Sequence, residues 1–277
     1  MILGGIDMKK GLLKKLTAVA AVAAITISMI GCGSSKQTGL EKIKSTGKLV
    51  VGTSADYPPY EFHATIDGKD EIVGFDMDIA KAVADNLGVE LEIKDMDFDG
   101  LLVALQANKV DMVFAGMTPT DERKQNADFS DIYYEGSHRF VLRNGEEVNI
   151  NSFDDLKGKK IGVQKGSIQE GIAKEHFDAS DIKSLGKVTD LILDLQNNKV
   201  DAILVEEGVA NLYCNKNNNI AVAQNLVVTD DNGGVAIAFS KGQSELETEV
   251  NKTIKELIES GKMSEYVTKA NELAGEQ

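Results

Sequence analysis

LVALQANKVDMVFAG (102–116) and LILDLQNNKVDAILVE (191–206) spell one structural word twice. Leu105-Gln106 recurs as Leu195-Gln196, and Lys109-Val110-Asp111 as Lys199-Val200-Asp201, 90 residues further along. In each copy, apolar residues at helical spacing give way to a polar turn and then to an apolar run of strand length. The plainer reading is that any helix–turn–strand unit has this pattern. The shared words support a second reading, two similar α/β lobes. Open α/β sheets bind ligands beyond the carboxyl ends of their strands. Two facing lobes would aim two such edges at a single cleft.

Outward from these copies the same alternation continues. KLVVG (48–52) reads as a buried strand, FDMDIAKAVADNL (75–87) as a helix ended by Gly88, and VELEIKD (89–95) as an alternating strand. Leu101 to Asn108 returns to helix, and DMVFAG (111–116) to strand. The second region repeats the scheme with IGVQ (161–164), SIQEGIAKEHF (167–177), VTDLILDLQNNK (188–199) and DAILVE (201–206). Strand and helix in turn predict an α/β fold with parallel sheets covered by helices.

Composition narrows the function. With 42% hydrophobic and 27% charged residues over 277 positions, the chain can bury a substantial core. Lys plus Arg is 30 against 44 Asp plus Glu, a net charge of −14, which repels phosphate backbones and argues against nucleic acid. Two cysteines and three scattered histidines (His63, His138, His176) are too few for a disulfide framework or a structural zinc site. No cofactor is expected. Lys9, Lys10, Lys14 and Lys15 precede the uncharged run LTAVAAVAAITISMI (16–30), short of the ~20 residues that cross a bilayer as a helix. That arrangement describes an export signal. The run meets Ile30-Gly31-Cys32-Gly33-Ser34-Ser35, which resembles the lipobox of bacterial lipoproteins. The resemblance implies cleavage before Cys32, a diacylglycerol on its thiol and attachment to the outer face of the membrane. The alternative is an ordinary secretory signal, residues 1–31, with an incidental cysteine. Translation starts at Met1 or at Met8. Residues 32–39 read as a polar tether, and Cys214 as a small core residue.

The strand ends carry the chemistry. The first copy runs into Ala115-Gly116-Met117-Thr118-Pro119-Thr120-Asp121-Glu122-Arg123. Gly116 lets a partner approach the backbone, Thr118 adds a hydroxyl, and Thr120 can cap a short helix carrying Arg123. A guanidinium there can hold a carboxylate with two parallel hydrogen bonds. The second copy runs into Glu206-Glu207, carboxylates suited to an ammonium group. Between them Gly166-Ser167-Ile168-Gln169-Glu170 opens a helix after a strand, where free amides and the positive dipole end suit an anion. Taken singly, Arg123 reads as a solvated charge and Glu206 as a helix N-terminal acid. Taken together they describe a receptor for a zwitterion.

Five phrases then resemble a known family: KLVVGTSADYPPYEF (48–62), IVGFDMDIAKAVADNLG (72–88), DMDFDGLLVALQANKVDMVFAGMTPTDERKQNADFSDIYY (95–134), LKGKKIGVQKGSIQE (156–170) and VDAILVEEGVA (200–210). In this order they are similar to the polar amino-acid-binding family of solute-binding proteins of bacterial ABC importers. The resemblance implies a two-lobed periplasmic-binding-protein fold of type II, with residues 40–137 plus 234–277 as one lobe and 138–233 as the other. Stretches around Glu135–Phe140 and Thr229–Gly234 would be the hinges about which the lobes close on a polar L-amino acid, basic or glutamine-like. By the same resemblance Arg123 clamps the carboxylate with the amides of Thr118 and Ile168. The Gly116 carbonyl, the Thr118 hydroxyl and Glu206 receive the ammonium. Tyr57 and Phe98 wall the side chain, with Ser167 and Gln169 on the opposite lip. Glu206 stands where the family commonly has aspartate. Ser54 stands where members that bind basic amino acids often carry aspartate, so Asp56 or Glu61 are candidates for that charge, or simply solvated acids. The implied partners are a membrane permease and the lipid anchor, with the receptor a monomer. A cyclohexadienyl dehydratase, which resembles the same fold and would need Glu206 or Glu207 as general acid, and the sensing module of a receptor are the alternatives.

Three other patterns lead nowhere. Asp95-Met96-Asp97-Phe98-Asp99-Gly100 copies half of a calcium loop whose twelfth position is Gln106 instead of glutamate. Ser167 lacks the second glycine of a nucleophile elbow. The three histidines read as surface or packing residues.

Overall fold

A computed structural model describes residues 38–229 and 233–276. The leader 1–31, Cys32, most of the 32–39 tether and residues 230–232 of the second candidate hinge lie outside them. In chain order the strands are β1 (Lys48–Thr53), β2 (Asp56–Tyr57), β3 (Glu61–Ile66), β4 (Lys69–Val73), β5 (Glu90–Asp95), β6 (Met112–Val113), β7 (Ala127–Phe129), β8 (His138–Arg143), β9 (Ile161–Gln164), β10 (Ile182–Leu185), β11 (Ala202–Glu206), β12 (Ile220–Val228) and β13 (Ala238–Ser240). They form a five-stranded sheet in the order β5-β1-β6-β13-β7, a second in the order β10-β9-β11-β8-β12, and a small sheet β2-β3-β4.

Each large sheet has a parallel heart: β1 with β5 and β6, and β9 with β10 and β11. Strands that return the chain between sheets pair antiparallel: β13 with β6 and β7, β8 with β11 and β12. The first sheet takes β13 from near the end of the chain, so the backbone leaves it after β7, builds the second sheet and comes back. The two crossings lie side by side, with Tyr134 and Val235 paired in an isolated bridge. The architecture is two α/β lobes joined by two adjacent connections.

Local chemistry explains the boundaries. Helix Phe75–Leu87 buries Phe75, Ile79, Ala80, Val83 and Ala84 along one stripe and stops at Gly88, whose φ of 72° is left-handed. Helix Leu101–Gln106 ends two residues earlier than its sequence spacing predicts, because Asn108 turns left-handed at φ 54°. Only Met112–Val113 of DMVFAG pairs as strand, yet the Asp111 amide donates to the Val50 carbonyl at 2.7 Å and the Phe114 amide to Gly52 at 3.0 Å. Those two bonds keep the segment extended beside β1, so its end still points to the lobe edge. Cys214 is half-buried against the core rather than inside it. No helix among the described residues is long and apolar enough to cross a membrane.

Candidate functional site

The facing edges of the lobes enclose a narrow cleft of about 30 Å³. From the first lobe it is lined by Tyr57, Phe98, Gly116, Thr118 and Arg123, and from the second by Ser167, Ile168, Gln169 and Glu206. Tyr60, Ala115, His138, Gln164 and Val235 complete the lining.

Arg123 sits on the short helix Asp121–Lys124, whose cap Thr120 accepts the Arg123 amide at 3.3 Å. Its guanidinium donates to the Thr118 carbonyl at 2.7 Å and across the cleft to the Gly166 carbonyl at 2.8 Å, while lying 5.3 Å from the centre of the Phe98 ring. Two carbonyls and a ring hold the planar group in place, and its remaining N–H donors are left for an acceptor in the cleft. Burial lowers its pKa to about 10, so it remains a cation at neutral pH.

Glu206 ends β11 and is also the N-cap of helix Glu207–Lys216, accepting the Val209 amide at 3.0 Å. Burial raises its pKa, opposed first by the Gly208 and Val209 amides and then by His138. A Cβ on Gly136 would stand 2.7 Å from a Glu206 carboxylate oxygen, so only glycine lets the carboxylate lie against that backbone. Glu207 is not available for a ligand: it is tied to the Ser137 hydroxyl and pairs with Arg139 at 2.9 Å.

Behind the lining lies a group of acids. Glu61 is 1% exposed, and neither carboxyl oxygen has a donor from another residue; its hydrogen-bond neighbour is the Asp76 carboxyl. Asp76, fully buried, accepts the Gly116 amide at 3.0 Å and the Tyr133 hydroxyl at 2.8 Å. Asp56 accepts the Ser54 hydroxyl at 3.1 Å and the Val188 amide. Burial pushes Asp56 and Asp76 up to about 6 and Glu61 well above the usual carboxylate range. Ser54 itself does not line the cleft; it acts through Asp56.

The lobes also meet directly. The Tyr57 hydroxyl accepts the Glu206 amide at 3.2 Å and the Gln169 amide group at 3.3 Å. Asp95 pairs with Lys187 at 3.0 Å and Asp99 with Lys165 at 2.8 Å. Asp95 and Asp99 of the calcium-like loop are thus lip contacts. Sequence reading missed Tyr60, Gln164, Val235 and His138. His138 is 5% exposed, lies opposite Glu206 in the β8–β11 register and meets Gln169 at 3.2 Å, so it is part of the cleft rather than surface or mere packing.

Comparison with known proteins agrees with this geometry over nearly the whole chain. The family model of bacterial extracellular solute-binding proteins, family 3, matches residues 49–271. The chain belongs to that family. The arginine-binding extracellular protein ArtP of Bacillus subtilis is 41% identical over 93% of this chain and 98% of its own length. The L-cystine-binding protein TcyJ of Escherichia coli is 33% identical over 88% of each. Among solved structures, the amino acid ABC transporter substrate-binding protein AbpA of Streptococcus pneumoniae, bound to L-arginine, superposes with a TM-score of 0.83. It is 40% identical, and the match covers 86% of this chain and all of AbpA. Holo ArgBP of T. maritima gives 0.72 at 36% identity over 78% of this chain and 93% of its own. This family-3 protein is therefore an extracytoplasmic amino-acid-binding component of an ABC importer. It works by binding, not by chemistry.

Proposed function

We propose that the protein captures L-arginine. The observation that carries the reading is the group of buried carboxyls behind the cleft, with neither Glu61 oxygen met by a donor from another residue. Leaving such a group unsatisfied costs roughly 1–3 kcal/mol, and a cationic side chain is what would relieve it. AbpA, solved with L-arginine bound, and the arginine-binding protein ArtP support the same choice.

In this reading Arg123 and the amides of Thr118 and Ile168 hold the ligand carboxylate, by bidentate pairing and backbone donation. The ammonium goes to Glu206, the Gly116 carbonyl and the Thr118 hydroxyl. Tyr57 and Phe98 sandwich the aliphatic part of the side chain, Ser167 and Gln169 close the opposite lip, and the guanidinium reaches toward Glu61, Asp56 and Asp76. Residues 40–137 plus 234–277 and residues 138–233 move as the two closing bodies. A lipid on Cys32 tethers the monomer to the membrane, where a permease receives the ligand.

The test is a thermal-shift screen of the twenty amino acids followed by calorimetric titration of those that respond. Arginine should raise the melting temperature most, with lysine behind it and glutamine smaller still. An unchanged melting temperature at saturating arginine removes the assignment.

A further inference from the structure

Glu61 is the cross-strand neighbour of Tyr57 in the β2–β3 pair. Residues opposite each other on paired strands leave the sheet on the same face, and Tyr57 lines the cleft. Glu61 therefore faces the ligand side from one layer back. Its charged neighbours come from every side. Asp56 stands on β2, Asp76 on helix Phe75–Leu87, and Lys187 just before helix Val188–Gln196. Tyr57 and Tyr133 present phenols that also face it, and Tyr213 donates to the Asp56 carbonyl at 2.8 Å.

Lys187 is the cation whose charge acts on Asp56 and Glu61, and it already pairs with Asp95 at 3.0 Å. Asp76 and Asp56 have N–H or O–H donors of their own; Glu61 has none, and its one hydrogen-bond partner is the Asp76 carboxylate, which only a protonated Glu61 can donate to. Three ionised carboxylates sharing a dry site with one committed lysine would leave uncompensated negative charge. Each such uncompensated buried charge is strongly unfavourable. A proton is the least costly counter-ion while the cleft is empty, and the carboxyl without donors is where it belongs.

We infer that this receptor exchanges a proton on Glu61 for the cationic side chain of its ligand. The inference rests on the arginine reading above. The balance is simple: the guanidinium enters carrying one positive charge, the O–H bond of Glu61 breaks, the proton leaves to solvent, and both carboxylate oxygens then accept N–H donors. The charge of the site is unchanged. Burial beside Asp76 and Asp56 holds Glu61 well above the ordinary carboxylate range in the empty protein, which fits this direction. The sign follows. A ligand that prefers the ionised carboxylate binds more tightly as pH rises, by up to tenfold per pH unit for one proton. The gain ends above the pH at which empty Glu61 loses its proton.

Glu206 is also buried, with a raised pKa, and faces the ammonium that every amino acid carries. A proton released there would accompany any ligand, so the two sources separate experimentally. Arginine is titrated calorimetrically at pH 7 in phosphate, HEPES and Tris, and the observed enthalpy is plotted against buffer ionisation enthalpy. The expected slope corresponds to about one proton released in the wild type and about one fewer in Glu61→Gln, which still binds arginine more weakly. In the wild type, the infrared difference spectrum should lose a protonated-carboxyl band as arginine is added. Binding with no buffer dependence, a proton count unchanged in Glu61→Gln, or no loss of that band overturns the exchange while leaving arginine as the ligand. Absence of arginine binding overturns both.

Discussion

The two copies of the helix–turn–strand word agree down to single hydrogen bonds and then part. Asn108 and Asn198 both turn left-handed, at φ 54° and 59°. Val110 and Val200 are both buried, at 2% and 1% exposure. Asp111 accepts the amide of Val50 at 3.0 Å and pairs with Lys42 at 2.8 Å; Asp201 accepts the amide of Lys160 at 2.8 Å and pairs with Arg143 at 3.2 Å. Each aspartate ties the start of one strand to the chain beside it. Past that point the first copy stops at Gly116 with φ 51°, while the second continues into a helix capped by its own Glu206. What is repeated builds the scaffold, and what differs meets the ligand. One lobe offers bare backbone and, nearby, a guanidinium; the other offers a carboxylate. That asymmetry is what a head-to-tail zwitterion requires.

The divergent residues should give the largest effects. Arg123→Ala removes the lone Lys or Arg of the lining, and losing one side of a buried charge pair costs about 2–5 kcal/mol of affinity. Titration calorimetry should find amino-acid binding lost or reduced by that amount, with unfolding still cooperative. Glu206→Gln keeps volume and an oxygen for the Val209 amide but removes charge, and the Gly116 carbonyl and Thr118 hydroxyl remain for the ammonium. A loss of about 1.5–3 kcal/mol follows for a hydrogen bond to a charged group. If the glutamine variant lost more than the alanine variant, the acid and not the guanidinium would be the anchor.

The repeated residues should affect stability and leave binding alone. Asp111→Ala and Asp201→Ala each leave a strand amide without its acceptor, which costs about 1–3 kcal/mol where water cannot replace it. Asp111 has a side-chain exposure of 8% against 36% for Asp201, so its loss belongs at the upper end and that of Asp201 near the lower. Urea unfolding of the two variants measures the difference. A larger loss at Asp201 would mean that exposure does not set the cost.

Much of this was legible beforehand because the signals are local. The helix Phe75–Leu87 carries its own stop signal in Gly88, and the echo between the two regions announces two lobes. Arg123, Glu206 and Thr118 line one cleft because each lies at a strand end or in the segment that follows one, which periodicity reveals; Tyr57 was legible only through the family resemblance. The misses depend on pairing between distant segments. His138 faces Glu206 only through the β8–β11 register, which no local pattern encodes. Asp76 reads as an ordinary first-turn acid until the fold sets Gly116 and Tyr133 against it. Ser54 supports Asp56, two residues along the chain, instead of lining the cleft.

The smallest effects bear on the comparison most directly. An L-residue in the left-handed region costs roughly 1–2 kcal/mol, a penalty that asparagine largely escapes and alanine does not. Asn108→Ala and Asn198→Ala should therefore each destabilise by about 1 kcal/mol, and by the same amount, since both turns are followed by an equally buried valine. Asn→Gly at either site should be close to neutral, because glycine adopts that conformation without strain. Thermal unfolding of the four variants, beside arginine titrations that should not change, reads this out. Equal small losses would mean that the two turns are interchangeable scaffold and that selection for ligand acted only on the strand ends. A cost at one turn and none at the other would mean that the echo in the sequence is not matched by an echo in the energetics.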